Sequence, residues 1–493
     1  RPASLEDVID WSWQLLDGDA RDALAAVGLL AGGCKPADLP ALLDWPAARS
    51  EAAVDTLLAH ALLRWQRDVA DLSFDGQPAS TPDSARLQAP EPVREFVLQR
   101  LPDDRRHTLR QAQVRWLLDW ARTLGPSAAP ATVQAERDNV AALLRDAPEP
   151  VAPVLQLTLA LRSHWDNRGM PLFMQDALDA TLTRHLATPV AAAGAAALAS
   201  DVHELLAYVR FEAGLVPAAQ AHADAALAHA GADPARRARA LVRAAWVTLA
   251  AGRSEDQSGA GADALQARLD EALALARQAG DRDAQARALH QLAVLHSHLR
   301  HDQVLAERLL ADAEALWLQL GDRRKAFARL RNRAQCWHQL GRADEALACF
   351  EHCARVAADE GDVIGQIDSL LSLSTLQTQR RQWTAALASD REAMRLAWRH
   401  RHRHGLAYAL WNPALSLAHL RQPDAAQRLM AFAATFWERH FGPLSTGDRQ
   451  TVRRVHRLVQ AQCGRAAAER LWTDGATMDI ASAVALALAE ARS

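Results

Sequence analysis

The sequence predicts an all-α (mainly) chain: stacked helical pairs behind a small N-terminal domain that also carries a few short strands. Three observations predict it. Alanine makes up roughly a fifth of the 493 residues and recurs with leucine at helical spacing, with few β-branched runs. Strand-like pieces are confined to the first hundred residues. From about residue 150 onward the same pattern of large and small side chains returns about every 40 residues.

The N-terminal elements follow in order. Ser4-Leu5-Glu6-Asp7 offers a helix cap, and an apolar-periodic stretch runs from it through Leu16. A second helix spans about Ala20 to Leu30 and stops at Gly32-Gly33. A third begins after Pro36, and a fourth covers about Arg49 to Leu62. Leu62–Trp65, Asp71–Phe74 and Ala85–Gln88 read as short strands separated by Asp75-Gly76 and a Pro/Ser-rich loop. Helices followed by a small β-hairpin are a winged-helix pattern. Helix resumes at Glu91 and runs to Leu101. The expected organisation is a winged-helix domain over 1–105, connecting helices over 106–150, about seven repeat units over 151–442 and a C-terminal helical cap over 443–493.

The clearest repeat unit is Leu330, Ala334, Trp337, Gly341, Ala346, Phe350, Cys353. Its order of large, small, large, Gly, Ala, aromatic, small matches the tetratricopeptide spacing. Small residues let the two helices of a pair touch, and large ones fill the next layer. Ala306, Ala346, Ala386 and Ala426 share one slot, Leu310 and Phe350 another, and Ala313, Cys353 and Ala393 a third. Gly280-Asp281, Gly321-Asp322 and Gly361-Asp362 mark helix ends where glycine takes the left-handed conformation. Earlier units are looser, and one carries an expected inserted loop from Ser254 to Arg268. The predicted architecture is a right-handed tetratricopeptide-repeat superhelix.

Charge and composition exclude several function classes. Lysine occurs only at Lys35 and Lys325, and neither lies in the Gly-Lys-Ser/Thr setting of a P-loop or in a kinase Val-Ala-Ile-Lys setting. No apolar run approaches the roughly 20 residues of a membrane span. Five cysteines point to a reducing, cytoplasmic setting and not to a disulfide scaffold. The opening Arg-Pro-Ala predicts a portion of a longer protein. No Ser/His/Asp elbow, paired-carboxylate signature or His-Glu-x-x-His motif is visible, so no catalytic or metal-binding residue is expected.

Four segments resemble one family. Asp10-Trp11-Ser12-Trp13-Gln14-Leu15-Leu16 resembles the WSW-x-LL opening of the winged-helix domain in signal-transduction ATPases with numerous domains, the STAND family. Gly28-Leu29-Leu30-Ala31-Gly32-Gly33-Cys34 resembles their F-x-GG-F turn, with Leu30 and Cys34 where aromatics are usual. Glu91-Pro92-Val93-Arg94-Glu95-Phe96 resembles LETVREYA. Ala135-Glu136-Arg137-Asp138-Asn139-Val140, with Ala142-Leu143, resembles the E-x-DN-x-x-AL segment before the repeats. The four fall in the family's order over about residues 5–145.

The resemblance implies a P-loop ATPase module upstream, which this chain would contact, and a repeat region that senses an inducer or partner protein. Sensing would exchange ADP for ATP and drive oligomerisation. ATP or ADP would belong to the full-length protein, with no cofactor in this portion. A transcription regulator is the implied role, and a bacterial defence protein recognising a foreign or partner protein is the alternative. Many relatives place a histidine near the LETVREYA segment to contact ADP; here the residues are Gln88-Ala89-Pro90-Glu91, so that contact does not carry over.

Candidate binding residues come from the repeat register. The first helix of each pair lines the inner groove. Arg331, Gln335 and His338 fall at i, i+4, i+7 on one such helix. Shifting by 40 gives Gln291 and His298 before, then Asp368, Leu371, Thr375 and Thr378, and then Tyr408, Trp411 and Leu415. A polar stripe is ordinarily a solvated face. Directional donors beside flat aromatics also suit recognition of a protein or small-molecule effector. DNA reading by the winged helix is not expected, because Arg49–Leu62 offers one arginine beside Glu51 and Asp55. Arg391, Arg395 and Arg399 share a face that suits an anion, or else merely places charge at a helix end. Cys336, Cys349, His352 and Cys353 sit in one unit and read as buried thiols, not a zinc site.

Overall fold

The computed structural model describes residues 5–66, 85–124, 130–187, 192–251, 260–400 and 402–489. The expected cap at Ser4 and the expected strand Asp71–Phe74 lie outside these residues. The chain divides after Val209 into two compact units.

In the first unit, α1 (Leu5–Leu15), α2 (Gly18–Leu29), α3 (Leu39–Leu43) and α4 (Ala47–Ala59) precede β1 (Arg64–Gln66) and β2 (Arg86–Gln88). The two strands pair antiparallel, with Trp65 opposite Leu87. The α2 side of this core is built from small residues: Ala20, Ala23, Ala25 and Ala26 are buried with Leu24, Val27 and Leu29. That close approach seats α2 against Val93, Phe96 and Val97 of α5 (Glu91–Arg100) in one core. α6 (Asp103–Thr123), α7 (Pro130–Arg145), α8 (Ala152–Ala160), α9 (Arg162–Arg168) and α10 (Leu172–Ala187) follow, and α11 (Ala192–Glu212) carries the chain across the division. Trp165 is buried in a second core, its Nε1–H donating to the Thr158 carbonyl at 3.0 Å.

The second unit is a repeat superhelix of antiparallel helix pairs. After α12 (Val216–His229) the pairs are α13 (Pro234–Ala251) with α14 (Ala260–Ala279), α15 (Arg282–His298) with α16 (Gln303–Gln319), α17 (Arg323–Gln339) with α18 (Ala343–Asp359), and α19 (Val363–Gln379) with α20 (Trp383–Arg399). The last first helix is split into α21 (Arg403–Trp411) and α22 (Pro413–His419), paired with α23 (Pro423–Phe441). Pro413 opens α22; having no N–H, it cannot donate back into the preceding turn. α24 (Thr446–Cys463), α25 (Arg465–Ala476) and α26 (Ile480–Leu488) close the chain, and Val455, Ala468 and Val484 share a core with Leu406, Leu410 and Leu429.

The repeat slots behave as packing requires. Ala306, Ala346, Ala386 and Ala426 are all completely buried, as are Ala313 and Ala393, with Cys353 almost so. A larger side chain there would force the paired helices apart. Gly280, Gly321 and Gly361 have φ of 67°, 75° and 68°. The aspartate after each glycine then caps the next first helix: Asp281 accepts from Ala284 N–H, Asp322 from Lys325 N–H and Asp362 from Gly365 N–H. One two-residue device thus ends one helix and starts the next.

The expected loop Ser254–Arg268 is corrected for its second half. Residues from Ala260 onward belong to α14, with Ala262, Leu265 and Leu269 buried. The apolar spacing after Gly261 outweighs that glycine's roughly 1 kcal/mol helix penalty.

Candidate functional site

Three places combine polar chemistry with burial. The first lies in the N-terminal unit, where the four segments quoted above meet. Gly33 has φ of 65°, and a Cβ built on it would lie 2.2 Å from the Leu87 carbonyl oxygen, so only glycine fits this turn. The tight approach lets Cys34 and Leu87 exchange backbone hydrogen bonds of 3.1 and 2.7 Å. Asn139 reads the same turn: its Oδ1 accepts from Gly32 N–H at 2.8 Å, and its Nδ2 donates to the Gly33 carbonyl at 3.0 Å and to Glu136 Oε2 at 2.6 Å. Glu136 pairs with Arg86 at 2.6 Å, and Arg86 donates to the Gly32 and Gly33 carbonyls at 2.9 and 2.7 Å. All three side chains are buried, and each charge is matched, the condition under which such a network is tolerated. Arg94 donates to the Gly28 carbonyl at 2.9 Å, and Phe96 meets Trp13 edge-on at 6.2 Å. These residues are therefore structural joints. Arg49, the one cation of α4 weighed for DNA contact, is paired with Asp19 at 2.6 Å and stacked on Trp45 at 4.1 Å.

The second place is the row of first helices in the repeat unit. Polar contacts run from each first helix to the next. Arg239 on α13 reaches Asp281 at 2.9 Å, Lys325 reaches Asp283 at 3.1 Å, and Asn332 lies 3.1 Å from His290. Further along, Arg331 pairs with Asp368 at 3.0 Å, His338 contacts Gln379, and Thr378 lies 3.5 Å from Ser416. Behind the row, Arg333 holds Glu307 and Glu314 of the previous pair at 2.7 and 2.8 Å.

This row brings some expected residues together and leaves others apart. Arg331 and Asp368 are ion-paired across helices. Gln291 is buried, its Nε2 3.1 Å from His290 Nδ1. His298 and Gln335 are exposed. Thr375 is exposed and donates back to the Leu371 carbonyl at 2.9 Å. Tyr408 is half-buried and meets Trp437 edge-on at 5.0 Å. Trp411 is half-buried against the last repeat core, with Leu371 buried in the same core and Leu415 packed on it. Missing from the sequence reading were Asp283, His290, Lys325, Asn332, Gln379 and Ser416. Their signal is an offset of 42 residues in the earlier rungs, for instance 283 with 325 and 290 with 332. That offset pairs acid with base and imidazole with amide.

Two titrations follow from this packing. Burial would raise the Asp283 carboxyl, but Arg287 and Lys325 outweigh it and hold the group below the usual carboxylate range. Burial, with Arg329, Arg287 and Arg331 nearby, keeps His290 well below its ordinary value. A neutral imidazole has one unprotonated nitrogen, which accepts an amide N–H from either Gln291 or Asn332.

A third polar group sits beside Trp411. Asp390 on α20 is completely buried and faces Ser374 and Asn412 at the α21–α22 break. Neither of its carboxyl oxygens, nor Ser374 Oγ, has a hydrogen-bond partner. Burial pushes its pKa up to about 8, although Ser374 and Asn412 lie near enough to lower it.

The remaining candidates are engaged elsewhere. Arg391 donates to the Ala487 and Ala489 carbonyls, and Arg395 pairs with Glu392 at 2.8 Å. Cys336, Cys349 and Cys353 are buried free thiols, the last two 4.0 Å apart. Among the described residues no cluster of three or more His, Cys, Asp or Glu is placed to hold a metal, and no helix is long and apolar enough to cross a membrane.

No family model and no curated protein matches the sequence. Solved structures do match the fold. A Signal Transduction ATPase with Numerous Domains protein with a tetratricopeptide repeat sensor, PH0952 from Pyrococcus horikoshii, aligns over 96% of this chain and 68% of its own, at 11% identity and TM-score 0.55. A Rap protein complexed with Competence and Sporulation Factor aligns over 74% of this chain and 91% of its own, at 16% identity and TM-score 0.44. The apo form of RapI aligns over 75% and 100%, at 11% identity and TM-score 0.38. At these identities the first likeness speaks to fold alone: the chain has a tetratricopeptide-like helical-repeat architecture similar to that of PH0952.

Proposed function

We propose that this chain is the sensor and regulatory half of a STAND-type signalling ATPase. Its first helices recognise an effector or partner protein, and its N-terminal unit is a winged-helix joint to an upstream ATPase module. The observation that carries this reading is the extent of the fold likeness to PH0952, which spans both the motif-bearing unit and the repeats. Direct contacts between the four motif segments support it: Trp13 meets Phe96, Arg94 bonds Gly28, and Asn139 bonds Gly32.

On this reading the chain binds and does not catalyse. ATP and ADP act in the full-length protein, and occupancy of the repeats controls its nucleotide state and oligomerisation, in the manner of a transcription regulator. The exposed Gln335 and Thr375, the half-buried Trp411 and the paired Arg331 and Asp368 supply the recognition chemistry.

The test is affinity capture from the source cell's extract with the wild-type chain and with an Arg331→Ala/Trp411→Ala variant. A partner enriched on the wild type and lost on the variant supports the reading. A partner retained equally by both counts against it.

A further inference from the structure

Helices α15 and α17 face each other through three rungs spaced along their length. The first rung is the Asp283–Lys325 ion pair at 3.1 Å, and the third is the His290–Asn332 contact at 3.1 Å. The same 42-residue offset puts Arg287 opposite Arg329 as the middle rung, and the two charges lie close enough to interact. Like charges facing across a helix interface are destabilising unless something neutralises them.

Arg287 has a partner, Asp283, at 2.6 Å. Asp283 is shared, however: it also accepts from Trp317 Nε1 at 3.0 Å and from Lys325. Arg329 has none. Among the described residues it makes no hydrogen bond and no ion pair, and its Nε is buried without a partner. Its guanidinium lies over the Trp317 ring at 4.9 Å, which holds it in place without supplying an anion. Two more cations crowd it. Arg331 is paired with Asp368, and Arg324 has no ion pair among the described residues, since Glu360 is taken by Arg323 at 3.3 Å. Burial and then Arg331, Arg287 and Arg324 bring Arg329 down to about 9; Asp322, which is itself paired with Lys325 at 2.9 Å, opposes this only in part.

We propose that the Arg287–Arg329 rung is an oxyanion site, taking a carboxylate or phosphate group. A planar guanidinium offers a fork of N–H donors that matches either group, and two forks held on facing helices chelate one anion between them. The flanking rungs fix the spacing of the helices, so the site is pre-organised. That the anion belongs to the effector rests on the groove reading above; the anion site itself does not.

The experiment is isothermal titration of inorganic phosphate and, separately, of succinate into the 493-residue chain at constant ionic strength. At least one anion is expected to bind with 1:1 stoichiometry. Arg329→Gln should weaken it at least ten-fold, Arg287→Gln should weaken it as well, and Arg395→Gln, on an exposed face, should leave it unchanged. Arg329→Gln removes an uncompensated charge, so the variant should keep its fold, checked by circular dichroism. Preference for phosphate or for succinate identifies the group recognised. Saturable binding that survives when no partner is captured supports the site and removes only its assignment to an effector. Absence of saturable binding by both anions, or equal affinity in Arg329→Gln, overturns the proposal.

Discussion

Replacing Asp390 with asparagine should change how the stability of the repeat unit depends on pH. Asp390 is fully buried with both carboxyl oxygens unpartnered, and its pKa is raised from 3.8 to about 8. Between those two values the folded chain holds a proton that the unfolded chain has released. Unfolding free energy then falls as pH rises, by about 1.4 kcal/mol per pH unit. The penalty is absent below the unfolded value and complete above about 8. At pH 7 it amounts to about 4 kcal/mol, three units at that slope. Asparagine cannot ionise and escapes this cost, though its amide adds buried donors worth about 1–3 kcal/mol if unmatched, a term independent of pH. The change in stability difference with pH is therefore the decisive quantity. Urea denaturation of wild type and variant at pH 4.5, 6 and 7.5 measures it. The variant should gain on the wild type by several kcal/mol between the first and last conditions. A difference that stays constant across the three would mean that Asp390 does not hold a proton in the folded chain at neutral pH.

Other expectations are simpler. Gly33→Ala places a Cβ against the Leu87 carbonyl at a positive φ and should cost more than about 2 kcal/mol, read as a lowered denaturation midpoint. Asn139→Ala strands the Gly32 N–H and leaves Glu136 with one partner fewer; a loss of about 2–3 kcal/mol is expected, while Asn139→Asp should fail to rescue because it cannot donate to the Gly33 carbonyl. Ala346→Leu should overpack the α17–α18 contact and cost about 1–3 kcal/mol or more, whereas exposed Glu351→Leu should change little. Treatment with a chelator should leave the melting temperature unmoved, because the thiols of Cys349 and Cys353 act as packing groups.

The repeat architecture was legible because it is written in side-chain volume. Ala306, Ala346, Ala386 and Ala426 must be small for the helices of a pair to touch, and spacing alone reveals them. The Gly-Asp helix junctions were half legible: the left-handed glycines stood out, while the capping role of Asp281, Asp322 and Asp362 required knowing where the next helix begins. The groove was less so. A shift of 40 residues finds equivalent positions, but neighbouring helices touch at a different offset because each pair is rotated against the last. Asp283–Lys325 and His290–Asn332 lie 42 apart, and Arg331–Asp368 only 37. Arg329 and Asp390 were invisible for another reason. Each is an ordinary charged residue on an amphipathic helix until the neighbouring elements bury it, and its lack of a partner is a property of the assembled layers. In the N-terminal unit the segment resemblance marked Glu136 and Asn139 without giving their purpose; only the folded turn shows them bound to Gly32 and Gly33.

Recognition by the first helices of the repeats places the partner against the exposed side of α17. Its most direct test is photocrosslinking in the source cell from a benzoylphenylalanine placed at Gln335, with the same residue at Glu351, exposed on α18, as the control. An adduct of one defined mass is expected from position 335, absent from position 351 and lost when Trp411→Ala is added. Crosslinking from Glu351 alone, or none from Gln335, would contradict it.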